Sequence, residues 1–182
     1  MLKTQLHDQL KEARAANLFR LEGLGGYDLR RPLTPTGTNL LGIIKHLGGM
    51  EYGYLGETFG RYLSRPVPGD DDPENIGDLW ATTDETAGDI VGWYEEACDH
   101  ADKTIDALEL DGLGSVPHWP EHQRVNLGEM MLRVLSEELR HGGHLDVVRE
   151  LIDGTAPSVK PRSQQWWEQH TAHLQKLAES FR

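Results

Sequence analysis

The stretch that decides the fold is residues 126–153, NLGEMMLRVLSEELRHGGHLDVVRELID. Its apolar residues recur at the three- and four-residue spacing of one helix face, which predicts a long helix in the core. Glu137 and His141 fall on the same face as Val134. His144 follows about one turn after His141. A carboxylate and an imidazole are costly to bury without partners, so the pattern indicates either a metal ion or a hydrogen-bond network that includes a neighbouring arginine.

A second predicted helix, from Asn39 to about Phe59, also places a polar side chain among apolar residues. Apolar residues at helical spacing surround His46, and they are Leu40, Ile43, Leu47, Met50 and Tyr54. Glu51 is expected to make an exposed salt bridge with Arg61 or a lysine, although it could instead orient an imidazole. Each glycine in a helix costs about 1 kcal/mol relative to alanine. The several glycines of this helix therefore predict close helix contacts or room for a ligand.

Two motifs in these helices carry a resemblance to a known family. They are NLLGIIKHLGGME at residues 39–51 and EELRHGGHLDVVRELIDG at residues 137–154. The chain resembles the DinB/YfiT superfamily, and most closely its DUF664 branch, which is related to mycothiol-dependent enzymes. The similarity covers most of residues 1–155. It implies a four-helix bundle with one divalent metal, held by a histidine of the second helix and by two residues four apart on the last core helix.

The resemblance also implies the candidate site residues. In the maleylpyruvate isomerase type the last-helix pair is Glu-x-x-x-His, so the implied metal ligands are His46, Glu137 and His141. Three protein ligands leave coordination positions open, as in catalytic metal sites. Glu138 is the rival of Glu137, because Glu-x-x-His is also a metal-binding spacing in bundles. His144 is expected to move a proton as a catalytic residue; a fourth ligand, an outer-shell donor or a surface histidine are its alternatives.

Composition narrows the class of protein. A chain of 182 residues is long enough for one domain with a substantial core. Its 30 acidic and 18 basic residues give a net charge of −12, which argues against nucleic-acid and anionic-membrane partners. The single cysteine, Cys98, excludes an intramolecular disulfide and is interpreted as a small buried side chain. No apolar run approaches the ~20 residues of a membrane span, and no signal peptide is evident, so we expect a cytoplasmic protein.

Helical periodicity dominates the chain, and no convincing alternating strand is evident. We therefore expect an all-α protein in which residues 1–155 form a DinB/YfiT-like metal-binding four-helix bundle with long crossover loops. Residues 156–182 are expected to be a tether and an additional amphipathic helix, which packs on the bundle as a lid or forms a homodimer contact. The third core helix is predicted to start near Thr83, with Thr82 or Thr83 as its cap.

Two long connections, at residues 65–80 and 109–125, are predicted to have functional roles, because loops of this length are uncommon in compact bundles. The second connection is expected to line the mouth of a substrate site with His118, Trp119 and His122.

The resemblance implies an enzyme that uses a low-molecular-weight thiol, with mycothiol as the expected co-substrate and an electrophile as its partner. A divalent metal, Zn²⁺ or alternatively Ni²⁺, would lower the pKa of the thiol so that it attacks at neutral pH. The expected reaction is therefore an S-transfer or an isomerisation. The alternatives are a metal-dependent hydrolase and a non-enzymatic, metal-containing stress or small-molecule-binding protein.

Overall fold

The computed structural model describes residues 1–120, 123–156 and 159–182. These residues form six α-helices: α1 (Leu2–Phe19), α2 (Gly26–Arg30), α3 (Leu40–Leu55), α4 (Ala87–Ala107), α5 (Leu127–Asp153) and α6 (Gln164–Glu179). They also form two 3₁₀ turns, Glu57–Phe59 and Gly77–Leu79, and two short strands, β1 (Leu113–Ser115) and β2 (Arg124–Asn126). The strands pair antiparallel, with Gly114 opposite Val125.

The four long helices α1, α3, α4 and α5 form the bundle. The central helix, α3, packs against both α4 and α5, and α1 packs against α5. Long crossovers connect α3 to α4 and α4 to α5. The all-α, DinB/YfiT-like bundle with long crossover loops is therefore confirmed. The two strands were not predicted, because three residues each are too few for a recognisable alternation.

Capping residues set the ends of the last core helix. The Asn126 side chain accepts a hydrogen bond from the Glu129 backbone N–H, and the Glu129 carboxylate accepts one from the Asn126 N–H. This reciprocal pair satisfies two N–H groups that the first turn leaves unpaired. The helix ends at Gly154, whose φ of 76° lies in the left-handed region that glycine adopts without strain.

The predicted start of α4 is wrong. The helix begins at Ala87, capped by a reciprocal pair of hydrogen bonds between Thr86 and Asp89. The Thr82 backbone N–H instead donates to the carboxylate of Glu85. That carboxylate also pairs with the buried Lys45 of α3, so the segment before Thr86 is held as a loop.

Two large apolar clusters, one toward each end of the bundle, form most of the core, and a small third cluster contains Tyr52, Trp93 and Ala97. The first includes Leu21, Leu41, Ile44, Leu47, Ile90 and Leu145. The second includes Leu10, Leu55, Ile105, Leu127, Met131 and Val134. Cys98 packs against the first cluster, and burial raises the pKa of its thiol well above the ordinary value.

A layer of buried polar side chains lies between the two clusters. This polar layer consists of Arg14, Asn17, Glu51, Tyr94 and Glu138. Within it, the Arg14 guanidinium donates two hydrogen bonds of 2.7 Å to the two carboxylate oxygens of Glu51. The predicted exposed salt bridge of Glu51 is therefore wrong, because α3 is buried on most sides and Glu51 has no solvent face.

The C-terminal helix α6 contains no buried residue. Trp166 and Trp167 on this helix remain 40% and 37% exposed. The division of the chain near residue 155 and the dimer contact of α6 stay predictions. Within the described ranges, none of the helices combines the length and the apolar character needed to cross a membrane.

Candidate metal centre

Three polar side chains from two helices meet on one side of the bundle. His46 comes from α3, and Glu137 and His141 come from α5, where residues four apart point the same way. One candidate ligand atom from each residue lies within 4.8 Å of the other two. The side chains of His46, Glu137 and His141 are 17%, 22% and 18% exposed. The cluster is therefore enclosed on most sides but reachable from solvent.

Asp78 fixes the orientation of His46. Its Oδ2 lies 2.7 Å from His46 Nδ1, and a carboxylate in this position accepts the Nδ1–H. The hydrogen bond from His46 lowers the pKa of Asp78, which keeps this carboxylate charged. The other ring nitrogen, Nε2, keeps its lone pair for a ligand. A carboxylate behind a histidine is a common outer partner of metal-binding imidazoles.

His141 is neutral near pH 7. Burial and the neighbouring imidazoles of His46 and His144 together lower its pKa to about 4. A neutral imidazole offers a nitrogen lone pair, which is the form that binds a metal.

The donor set fits a divalent cation. Glu137 Oε2 lies 3.4 Å from His141 Nε2. Two ligands of a tetrahedral zinc, with bonds of about 2.0–2.1 Å, are separated by about 3.3 Å. Among the described residues, no lysine or arginine forms an ion pair with Glu137, so the alternative of a bridging arginine is not what the structure contains. Two imidazoles and one carboxylate suit Zn²⁺, and also Ni²⁺.

The structure separates the two rival glutamates. Glu138 is fully buried in the polar layer. Its Oε2 accepts hydrogen bonds from Tyr94 Oη at 2.9 Å and from Asn17 Nδ2 at 2.7 Å. Burial, together with the nearby charge of Glu51, raises its pKa to about 8. Glu138 therefore faces the core, and Glu137 is the carboxylate that joins the two histidines.

His144 lies at the edge of the cluster. Its Nδ1 is 3.3 Å from Nδ1 of His141, and its side chain is exposed. The Nε2 of His141 is the nitrogen that faces Glu137. His144 thus contacts the ring of His141 from the side opposite to the carboxylate.

A cavity of about 470 Å³ opens beside the cluster along α5. Its lining includes Trp119, Arg124, Met130, Leu132, Arg133 and Glu137. Because Glu137 belongs to both the lining and the cluster, a molecule in the cavity can reach the cluster. The structure thus places Trp119 at this opening, with the ring of His118 6.4 Å from it. The third residue predicted for the mouth, His122, lies outside the described residues.

Asp78, the partner of His46, was not predicted from the sequence. It lies in the 3₁₀ turn Gly77–Leu79, 32 residues from His46 along the chain. The only signal was an aspartate within an acidic connection, where nothing distinguished it from its solvated neighbours.

The fold and the site together define a class of protein. It is a helical bundle in which two long helices bring two imidazoles and one carboxylate to a candidate site for one divalent metal. The family model described as mycothiol-S-transferase matches residues 5–154. The chain belongs to this family, which confirms the resemblance seen in the two motifs. The matched residues include all three candidate ligands. No curated protein shows a detectable match to the chain.

Proposed function

We propose that the protein is a metal-dependent transferase that joins a low-molecular-weight thiol, mycothiol, to an electrophile. The observation that carries this proposal is the cluster of His46, Glu137 and His141, whose Glu137 also lines an open cavity. Membership of the mycothiol-S-transferase family supports the choice of thiol.

His46, Glu137 and His141 would hold the metal, with Zn²⁺ expected first and Ni²⁺ as the alternative. When bound, a divalent metal lowers the pKa of a thiol and so supplies a thiolate at neutral pH. Asp78 keeps the His46 ring in one orientation and one tautomer. The low pKa of His141 keeps this ring neutral across the physiological range.

The proton and the sulfur take separate paths in the proposed reaction. The thiol proton passes through water to the His144 imidazole, which is exposed and lies beside His141 on the side away from Glu137. The sulfur electron pair then forms a carbon–sulfur bond with the electrophile. A leaving group departs with its bonding electrons, or, in an addition, the adjacent carbon takes up a proton.

Removal of metal tests the function. We expect protein treated with a chelator to lose catalysis of conjugation between mycothiol and a maleimide or haloalkane, and to recover it when Zn²⁺ is added. The rate with Zn²⁺ alone is the control. Equal rates with and without metal would contradict the proposal. Metal-dependent ester cleavage that needs no thiol would support the hydrolase instead, and binding without turnover would support the non-enzymatic alternative.

His144 is expected to contribute to turnover without being essential for metal binding. His144→Gln should keep the metal content near that of the unchanged protein and lower turnover by about 10²-fold, which is typical of a lost acid–base group. Metal content and conjugation rate are measured on the same sample, with His173→Gln on α6 as a control at a distance from the cluster. Loss of metal would make His144 a ligand or a support of His141. No change in either quantity would make it a bystander.

A further inference from the structure

Arg133 is held in the cavity wall by two aromatic rings. Its guanidinium carbon lies 4.9 Å from the ring centroid of Tyr54 and 4.9 Å from that of Trp119. Tyr54 comes from α3 and Trp119 from the connection before β2, so three separate segments meet at this arginine. Cation–π contacts engage the faces of the planar guanidinium. Its N–H groups lie in the plane and stay free to donate outward.

No acceptor within the described ranges uses these N–H groups. Two glutamates of α5, Glu129 and Glu137, stand four residues from Arg133, a spacing at which opposite charges on a helix commonly pair. The Glu129 carboxylate accepts a hydrogen bond from the Asn126 backbone N–H at 2.9 Å. Glu137 instead turns toward His141, 3.4 Å away. Arg133 therefore presents a fixed, half-buried set of donors to the cavity.

A guanidinium in this position matches a carboxylate. Arginine binds carboxylates through two parallel hydrogen bonds, and the planar fork makes this contact directional. The protein carries a net charge of −12, whereas the cavity lining balances two arginines, Arg124 and Arg133, against two glutamates, Glu129 and Glu137. The cavity of about 470 Å³ is within the range of small-molecule sites, about 300–1,000 Å³.

We infer that Arg133 is the specificity-determining residue of this site and binds the carboxylate of an acidic substrate, with the reactive end of that substrate directed toward Glu137. The inference rests on the proposed function, since it assigns a substrate class to the same site. The carboxylate belongs to the electrophile, because the cysteine carboxyl of mycothiol is held in an amide.

Binding of unreactive analogues tests the site without any turnover. The probes are N-(carboxymethyl)succinimide and its neutral counterpart N-ethylsuccinimide, titrated into the metal-loaded protein and followed by NMR of the tryptophan indole N–H signals. We expect the acidic probe to bind at least about 10-fold more tightly, which is the effect of a charged hydrogen-bond pair. Arg133→Gln should abolish the preference, and Arg133→Lys should keep part of it. Arg140→Gln, which removes an exposed arginine outside the cavity lining on the same helix, should retain it.

Kinetics then test whether Arg133 acts on the electrophile during turnover. N-(carboxymethyl)maleimide is compared with N-ethylmaleimide, with mycothiol as the thiol in both cases. In Arg133→Gln, KM should rise about 10-fold for the acidic maleimide, while N-ethylmaleimide keeps its KM. A preference for the acidic probe that survives Arg133→Gln, or no preference in the unchanged protein, would overturn the inference. If no pair of substrates turns over, the transferase proposal fails, and the binding result alone decides the role of Arg133.

Discussion

Replacing His141 by alanine should leave the protein without bound divalent metal after purification. The same loss is expected for His46→Ala and Glu137→Ala, with affinity lower by about 10-fold or more in each case. Each residue contributes one of only three donors, and a site with two protein ligands holds zinc far less firmly than one with three. Elemental analysis of protein purified without added metal measures the effect, and thiol conjugation should fall with the metal content.

Glu138→Gln is the matched control for Glu137→Gln, because the two glutamates are neighbours in the chain and only one faces the histidines. We expect the Glu138→Gln variant to keep its bound metal, since the Glu138 carboxyl group contacts Tyr94 and Asn17 in the core. Loss of an outer partner can itself lower metal affinity by about 10–100-fold. Absorption spectra of cobalt-substituted protein therefore have to show which residues are direct ligands. Wild-type metal content in all three ligand variants would show that the site is misassigned.

The largest expected effect on stability comes from the buried pair of Arg14 and Glu51. Glu51→Ala should lower the free energy of unfolding by about 3 kcal/mol, because the buried Arg14 guanidinium loses two hydrogen bonds to Glu51 and keeps only the one to Asp102. Urea denaturation measures this change. The double variant Arg14→Met/Glu51→Leu should be less destabilised, since it removes both buried charges and leaves Asp102 with His7 and Lys11 as partners.

An exposed ion pair provides the comparison for that prediction. Arg65 and Glu96 lie 2.9 Å apart with side chains 42% and 43% exposed. Glu96→Gln should change the free energy of unfolding by less than about 1 kcal/mol, as is usual for ion pairs at the surface. A Glu51→Ala effect as small as this one would mean that water reaches the polar layer.

Features that depend on the regular spacing of residues within one segment could be predicted from the sequence. The apolar spacing of residues 126–153 predicted the last core helix, and the family motif added the pairing of His46 with Glu137 and His141. The exposed position assigned to Glu51 was wrong because a helix buried on most sides has no polar face that marks its orientation.

Contacts between distant segments were not predictable in the same way. The hydrogen bond from His46 to Asp78 depends on the path of a long loop, and no local pattern encodes that path. The role of Arg133 likewise depends on Tyr54 and Trp119, which approach it from two other segments. Neither of these contacts can be recognised from the helical spacing of residues in the sequence.

The polar layer has a consequence for how the helices align along their axes. Two apolar clusters alone would tolerate a slide of one helix past another, whereas directional hydrogen bonds such as Arg14 to Glu51 fix one register. On α3, His46 lies about one turn from Glu51, and on α5, His141 lies about one turn from Glu138. The buried bonds thus hold the two histidines at the same height in the bundle, and we expect this alignment to exist before any metal arrives.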